Sequence, residues 1–412
     1  MTDATRRCRI CDGSLDLVLD LGSTPLANAL TSTQAEALAL PRHPLMLCAC
    51  TDCGLVQLGV AMTSESLFST YLYLTPRSTL LEAHYRHVLG TLEGFPGVLG
   101  PGRRAVEMGS NTGDFLAALQ PHVGTVLGVE PASNVAALAR DRFGIPTRAD
   151  FFVPSVAGDI ATTEGPADLI AARHCFAHID NIHDVVEGVS RLLAPEGIFY
   201  IENAWLLDTL VGVQFDQVYH EHMSYLHVAP LQRLLEAHGL RVVHVDHRPV
   251  HGGSILVYAA RQGSGHRVQP SVDHFLLRER ELLAGGALLN FADRSVALRD
   301  AIRAAVLRRV ERGEVVDTYG ATAKGNTLLN YCGLDHTVLR RSYDGTAIKQ
   351  GRFLPGSGLP VVAEETLAVD PPAACLLTAW NFADEIVARQ QAWLQAGGRF
   401  IVPVPRVHER SA

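Results

Sequence analysis

The sequence predicts an α/β chain in three parts: a cysteine-bearing N-terminal module over residues 1–70, a doubly wound parallel sheet over 71–262, and a smaller Rossmann-like α/β domain over 263–412. Three observations carry this. Two Cys-x-x-Cys pairs, Cys8/Cys11 and Cys50/Cys53, lie near the start. From RRAVEMG (103–109) onward, strand-like and helix-like runs alternate, the βαβ rhythm of a parallel sheet. Far downstream, GEVVDTYGATAKGNTLLNYC (313–332) repeats the order strand, glycine loop, helix.

The bulk composition narrows the function classes. With 412 residues, 47% hydrophobic and 19% charged, the chain reads as globular. A net charge of −8 without a Lys/Arg run argues against a nucleic-acid partner. MTDATRRC lacks the apolar core of a signal peptide, and no apolar run reaches membrane-spanning length. The expectation is a cytoplasmic enzyme, a monomer or weak dimer, with no membrane partner.

Five of the eight cysteines precede residue 54, and such crowding in a cytoplasmic chain favours metal over disulfides. Two close thiolate pairs suit one tetrahedral zinc site, which is structural because it is closed. The 38 residues between the pairs must then carry strands of their own. Cys48 competes with Cys50, but two intervening residues suit a knuckle better than one. The expected ligands are Cys8, Cys11, Cys50 and Cys53. Cys175, Cys332 and Cys375 sit in strand-like or helical surroundings and read as core.

In the central region VEMGSNTGDFL places Glu107, Gly109, Asn111 and Gly113 at the first strand-to-helix turn, where glycines let backbone approach a ligand. A dinucleotide turn prefers G-x-G-x-x-G. This G-x-x-x-G fits the S-adenosylmethionine (SAM) loop of class I methyltransferases better. The next strand, VLGVEP, ends in Glu130, where a carboxylate can hold two ribose hydroxyls. RADFF follows at the third strand position, where Asp150 can accept from an adenine amine beside Phe151. The fourth strand ends at AARHCFAHI, the rim position for the methionine part, where Arg173 is assigned to the cofactor. GIFYIEN and HGGSILVYAAR supply later strands.

YHEHMSYLH (219–227) packs three histidines, a carboxylate and two tyrosines into nine residues. A buried core does not tolerate them unpaired, which leaves a metal site or an acid–base site. The histidines lack the i, i+4 spacing of H-E-x-x-H. Imidazole, with an unperturbed pKa of about 6.5, suits a general base. His220, Tyr225 and His227 read as supporting or core groups.

The segment 271–312 reads as helix. Beyond it, YGATAKGNTLL puts Lys324 and Asn326 at a helix N-terminus, an anion site in the making, and KQGR adds Lys349 and Arg352. These four are the expected substrate-binding residues. The same loop reads alternatively as a loose nicotinamide turn, which would make the protein a ketoreductase. A non-catalytic zinc scaffold is a third possibility.

Taken together, CRIC, CTDCGLVQL, VEMGSNTGDF, GVEPASNVA, YHEHMSYL, HGGS, GATAKGNTLLNYCG and KQGRFLPG resemble the SAM-dependent C-methyltransferases of nucleotide-linked keto-deoxysugars, over nearly the whole chain. The resemblance implies structural zinc, SAM and a TDP-linked keto-sugar of antibiotic biosynthesis. It also implies that Tyr219, Glu221 and His222 face the sugar, joined by His178 of the FAHID stretch and by an N-terminal tyrosine, for which YLYLTPRS offers Tyr71 or Tyr73, with Tyr73 favoured. C-methylation beside a ketone needs a base for the α-proton and donors for the enolate oxygen. His222 is the expected base, with Glu221 or a sugar-bound water as rivals, and Tyr219 and His178 are the expected donors. The chain departs from the relatives at RHCFAHI, where they are rich in asparagine, and at Leu256, where an arginine is frequent.

Overall fold

The computed structural model describes residues 3–4, 7–61 and 79–412. The gap between the cysteine pairs folds into strands, as the spacing requires. β1 (Asp3–Ala4) is followed by β2 (Leu15–Thr24), β3 (His43–Cys50), β4 (Val56–Leu58) and β5 (Val60–Ala61). β2, β3 and β4 form an antiparallel meander, and β1 pairs with β5. Between β2 and β3 a short helix, Gln34–Ala39, is started by a capping box in which Thr33 and Glu36 satisfy each other's backbone N–H groups.

The central strands are β6 (Gly100–Met108), β7 (Val123–Val129), β8 (Thr147–Arg148), β9 (Ala167–Arg173), β10 (Leu193–Ala204), β11 (Ser224–Tyr225), β12 (Leu240–Arg248) and β13 (Ser254–Arg261). Seven of them make one sheet in the order β12-β13-β10-β9-β6-β7-β8. β6 to β10 run parallel within it, and β13 lies antiparallel between β10 and β12. Their apolar runs are continuous because helices cover both faces: Val106, Ile170, Ala171, Phe199 and Ile201 are all buried. Strand order reverses at β6, so the loops after β6, β7 and β9 open into one crevice. The third strand is shorter than RADFF suggested. It ends at Arg148, because Pro154 opens the next helix and residues 149–153 only bridge to it.

β11 belongs to a different sheet. It comes from the YHEHMSYLH run and pairs with β4, Ser224 opposite Gln57 and Tyr225 opposite Val56. The N-terminal sheet is therefore completed by the central region.

The helical bridge is two helices, Pro270–Ala284 and Ala287–Glu311, rather than one. They are broken at Gly285–Gly286, where Gly286 takes a φ of 76°. The last sheet has the order β16-β15-β14-β17-β18-β19, from β14 (Val316–Tyr319), β15 (Ser342–Tyr343), β16 (Val361–Val362), β17 (Ala374–Leu377), β18 (Arg399–Val402) and β19 (His408–Arg410). All its pairs are parallel except β18–β19. The cores are shared between regions. One joins the knuckle residues Cys8, Ile10 and Leu55 to Ile201 and Leu226, and another joins Leu45 and Leu47 to Phe291, Ile302 and Leu328.

Glu279, on the first bridging helix, is buried and accepts from Trp205 Nε1 at 3.0 Å and from the backbone N–H groups of Val228 and Ala229 at 2.8 and 3.2 Å. It caps the helix Val228–Glu236, whose own N-cap residue His227 provides no side-chain cap. Glu279→Ala leaves these buried donors unmatched, at about 1–3 kcal/mol each. We expect a clear drop in the urea midpoint, and a smaller one for Glu279→Gln, which keeps an acceptor. Equal midpoints for Glu279→Ala and wild type would show that water takes over the cap.

Candidate active site

The knuckles bring four sulfurs together. Cys8 Sγ lies 3.4 Å from Cys53 Sγ, and Cys11 Sγ lies 3.4 Å from Cys50 Sγ. All four sulfurs fall within 4.8 Å of one another. That spread and four thiols fit one tetrahedral zinc ion. Cys48 stays outside the group, its sulfur against Gly59. Among the described residues no other set of His, Cys or carboxylate groups gathers this closely. The histidines of the run diverge instead. His220 turns to the Pro44 carbonyl, His222 to Tyr219, and His227 lies buried under Gly54.

A cavity of about 620 Å³ opens at the crevice of the central sheet, and Asn28 of the N-terminal module and Lys324 and Lys349 of the C-terminal region also line it. At one end stand Glu107, Gly109, Ser110, Asn111, Glu130, Phe151, Arg173 and Asn203. Gly109 has a φ of 60°, and a Cβ there would meet Cys175 Cβ at 2.7 Å, so the loop after β6 requires glycine. Glu130 accepts the N–H groups of Asn111 (2.9 Å) and Ala132 (3.0 Å), one on each carboxylate oxygen. Burial raises its pKa, and those two bonds pull the other way. Each oxygen keeps a lone pair for a further donor. Phe151 is 40% exposed on the rim and offers an apolar face.

Arg173 bridges two buried carboxylates, Glu202 at 3.0 Å and Glu107 at 3.5 Å, and packs on the rings of Tyr85 and Phe115. Burial would raise the Glu202 carboxyl, but Arg173 and then His174 hold it well below the usual range. Glu107 is pushed up to about 8 by burial, against the pull of Arg173. Glu107 Oε2, Ser110 Oγ and Asn203 Oδ1 are buried and have no hydrogen-bond partner among the described residues. Two acceptors and a hydroxyl left unmet in one wall fit the zwitterionic end of an amino-acid ligand. The glycine loop, Glu130 and this unmet set together fit SAM.

At the other end are His178, Gln217, Tyr219, His222, Ser224, Tyr225, His251, Lys324 and Lys349. His222 Nδ1 lies 2.9 Å from the Gln217 carbonyl, which can only accept, so Nδ1 carries the hydrogen. Nε2 then accepts from the Tyr219 hydroxyl at 2.6 Å. The His178 ring lies 5.0 Å from that of His222. Burial and then His178 lower the His222 pKa well below its ordinary value, and burial and then His174 bring His178 down to about 4. Lys324 is half-buried; its Nζ lies 3.3 Å from the His251 carbonyl and 5.5 Å from the Trp380 ring. Burial lowers its pKa, opposed by Asp216. Lys349 donates to the Ala321 carbonyl at 2.8 Å.

Five expected residues do not line this cavity, and Tyr73 lies outside the described residues. Glu221 is buried one step behind, accepting from Asn28 Nδ2 at 3.0 Å. Asn326 donates to the Ala27 carbonyl at 2.8 Å and so holds the turn that carries Asn28. Asp150 turns to Arg148 at 3.4 Å. Gly113 lies against Ala139 of the helix Ser133–Phe143 and Ile145 just after it, packing the start of its own helix on that neighbour. Arg352 sits in the turn before Phe353. Conversely Asn28, Tyr85, Ser110, Asn203 and His251 line the cavity and were not singled out as site residues. Ser110, Asn203 and His251 lie inside stretches quoted above, VEMGSNTGDFL, GIFYIEN and HGGS, whereas Asn28 and Tyr85 lie in none.

Family models match the chain in three consecutive pieces: a zinc binding domain at residues 8–68, a methyltransferase domain at 82–245 and a C-methyltransferase C-terminal domain at 249–405. The C-methyltransferase NovU of Streptomyces niveus is 41% identical over 409 residues, 98% of this chain and 97% of that protein. Among solved structures, the magnesium protoporphyrin IX methyltransferase ChlM from Synechocystis PCC 6803, with bound SAH, aligns with 46% of this chain and 91% of its own at 13% identity and a TM-score of 0.35. The N-methyltransferase NodS from Bradyrhizobium japonicum WM9, in complex with S-adenosyl-L-homocysteine, aligns with 45% and 88% at 15% identity and the same TM-score.

The sulfur cluster predicts one zinc per chain by elemental analysis of gently purified protein. Cys11→Ser should lower zinc content and destabilise the N-terminal module, because binding energy at a closed site is folding energy. Full zinc occupancy in that variant would place the metal elsewhere.

Proposed function

The chain belongs to the SAM-dependent C-methyltransferases, and from that premise we propose that it methylates a carbon next to the ketone of a nucleotide-linked, TDP-type keto-deoxysugar of antibiotic biosynthesis. The observation that carries this reading is the Tyr219–His222 pair in the cavity wall, a neutral imidazole with its Nε2 lone pair directed at a phenol hydrogen. When bound, SAM supplies the electrophilic methyl group, so the protein needs only to generate and hold a carbon nucleophile.

In this reading Glu130 holds the ribose, Phe151 faces the adenine, and Glu107, Asn111 and the Arg173-ordered wall hold the methionine end. The Tyr219 hydroxyl first exchanges Nε2 for the substrate oxygen, which frees the Nε2 lone pair. His222 Nε2 then takes the α-proton while Tyr219, with His178, donates to the developing enolate. Glu221 fixes the Asn28 side chain against the sugar. Lys324 and Lys349 supply the positive charge that a diphosphate or an enolate requires. The four-cysteine site is closed, so zinc serves structure.

The direct test is incubation of the enzyme with isotopically labelled SAM and a panel of TDP-keto-sugars, with the product read by carbon NMR. A new methyl on a ring carbon next to the ketone is the expected result, and a methyl on oxygen would overturn the enolate mechanism.

A second expectation concerns the base. Because His222 is held neutral well below its ordinary pKa, it stays competent down into acid. Turnover should therefore show no fall between pH 7.5 and 6 from imidazole protonation, whereas an exposed base would lose activity around 6.5. His222→Ala should retain SAM binding by calorimetry but lose about 10²–10⁴-fold in kcat. An acid limb centred near 6.5, or a variant with wild-type kcat, would move the base to another group.

A further inference from the structure

The HGGS stretch has no role in the chemistry above, yet its histidine enters the cavity. His251 has a φ of 55°, followed by Gly252 at 95° and Gly253 at 111°. The glycines are required, since a Cβ on Gly253 would meet Asp208 Oδ2 at 2.0 Å and one on Gly252 would meet Gln214 Oε1 at 3.0 Å. His251 has no such excuse. A side-chain residue in the left-handed region is strained, and such strain persists where the surroundings impose it, commonly at functional sites.

The surroundings do impose it. The His251 carbonyl accepts from Lys324, and its ring meets the His174 ring edge-on, centroids 4.6 Å apart. His174 also has a positive φ, 50°, and is tied to Glu202 through its ring at 3.2 Å and its N–H at 2.7 Å. Two strained histidines from different loops thus meet in one wall, between the Arg173–Glu202 pair and Lys324. None of the hydrogen bonds among the described residues uses a His251 ring nitrogen. Burial, then His174, lowers its pKa to about 3, so the ring is neutral and offers one donor and one acceptor. A neutral ring is a poor partner for phosphate and a good one for a hydroxyl.

We propose that His251 is a substrate-contacting residue that hydrogen-bonds a hydroxyl of the sugar ring and fixes the reacting carbon between methyl donor and base. The proposal rests on the keto-sugar reading, and measuring wild type on the same substrate in parallel separates the two.

The experiment compares His251→Gly and His251→Asn with wild type. Glycine relieves the backbone strain, so its thermal midpoint should equal or exceed that of wild type. Its kcat/KM for the keto-sugar should fall about tenfold to a hundredfold, the range of one or two lost hydrogen bonds, with SAM affinity unchanged by calorimetry. Asn tolerates positive φ and keeps a donor and an acceptor, so it should recover part of the loss. Wild-type kcat/KM in His251→Gly, while wild type turns over the substrate, overturns the proposal and leaves the keto-sugar reading intact. A thermal midpoint lowered in both variants, or SAM affinity lost in step with turnover, equally overturns it by assigning the ring to folding or to the cofactor.

Discussion

A single buried carboxylate organises the centre of the molecule. Glu202, fully enclosed near the end of β10, accepts from Arg173 (3.0 Å), Tyr200 (2.7 Å) and His174 (3.2 Å), and His84 Nε2 lies 2.7 Å away. These partners come from β9, β10 itself, the loop after β9 and the helix Thr79–Glu93. An ion so deeply buried is tolerated only when its lone pairs are matched, and removing one partner of such a pair costs about 3–5 kcal/mol. Because Arg173 also reaches Glu107, the same charge network sets the ends of β6, β9 and β10, which are the ends that face the cavity.

The second constraint is mechanical. The YHEHMSYLH run is a strand of the N-terminal sheet through β11, yet Tyr219 and His222 reach into the crevice of the central one. Asn326 of the C-terminal region holds the turn of Ala27, and the adjacent Asn28 meets Glu221. All three regions therefore contribute to the cavity wall, and the zinc cluster supports the sheet on which the run is built. That is why residues expected to touch a ligand, Asn326 and Glu221, serve one step behind it: they join regions together.

Residue-level legibility followed how local each feature was. The cysteine spacing implied one cluster, and four sulfurs are found together. The turn at 107–113, Glu130 and the run at 219–222 stood out because glycines, a strand-end carboxylate and crowded histidines have few bland explanations. Arg173 was expected at the cofactor; the structure adds that two carboxylates and two aromatic rings hold it. Asp150 illustrates the limit. From sequence it is a carboxylate next to the third strand, and only the structure shows that it lies 3.4 Å from Arg148 and outside the cavity lining.

The sequence by itself determined the α/β class, the cysteine cluster and the glycine turn after the first central strand, because hydrophobic period, Cys-x-x-Cys spacing and glycine turns act over a few residues. Only the tertiary structure decided who shares a wall. Asn28, Tyr85, Asn203, Lys324 and His251 are separated by up to a few hundred positions and carry no common pattern, yet one cavity gathers them. Their proximity follows from long-range burial and charge pairing, and those energies depend on the folded arrangement of the whole chain.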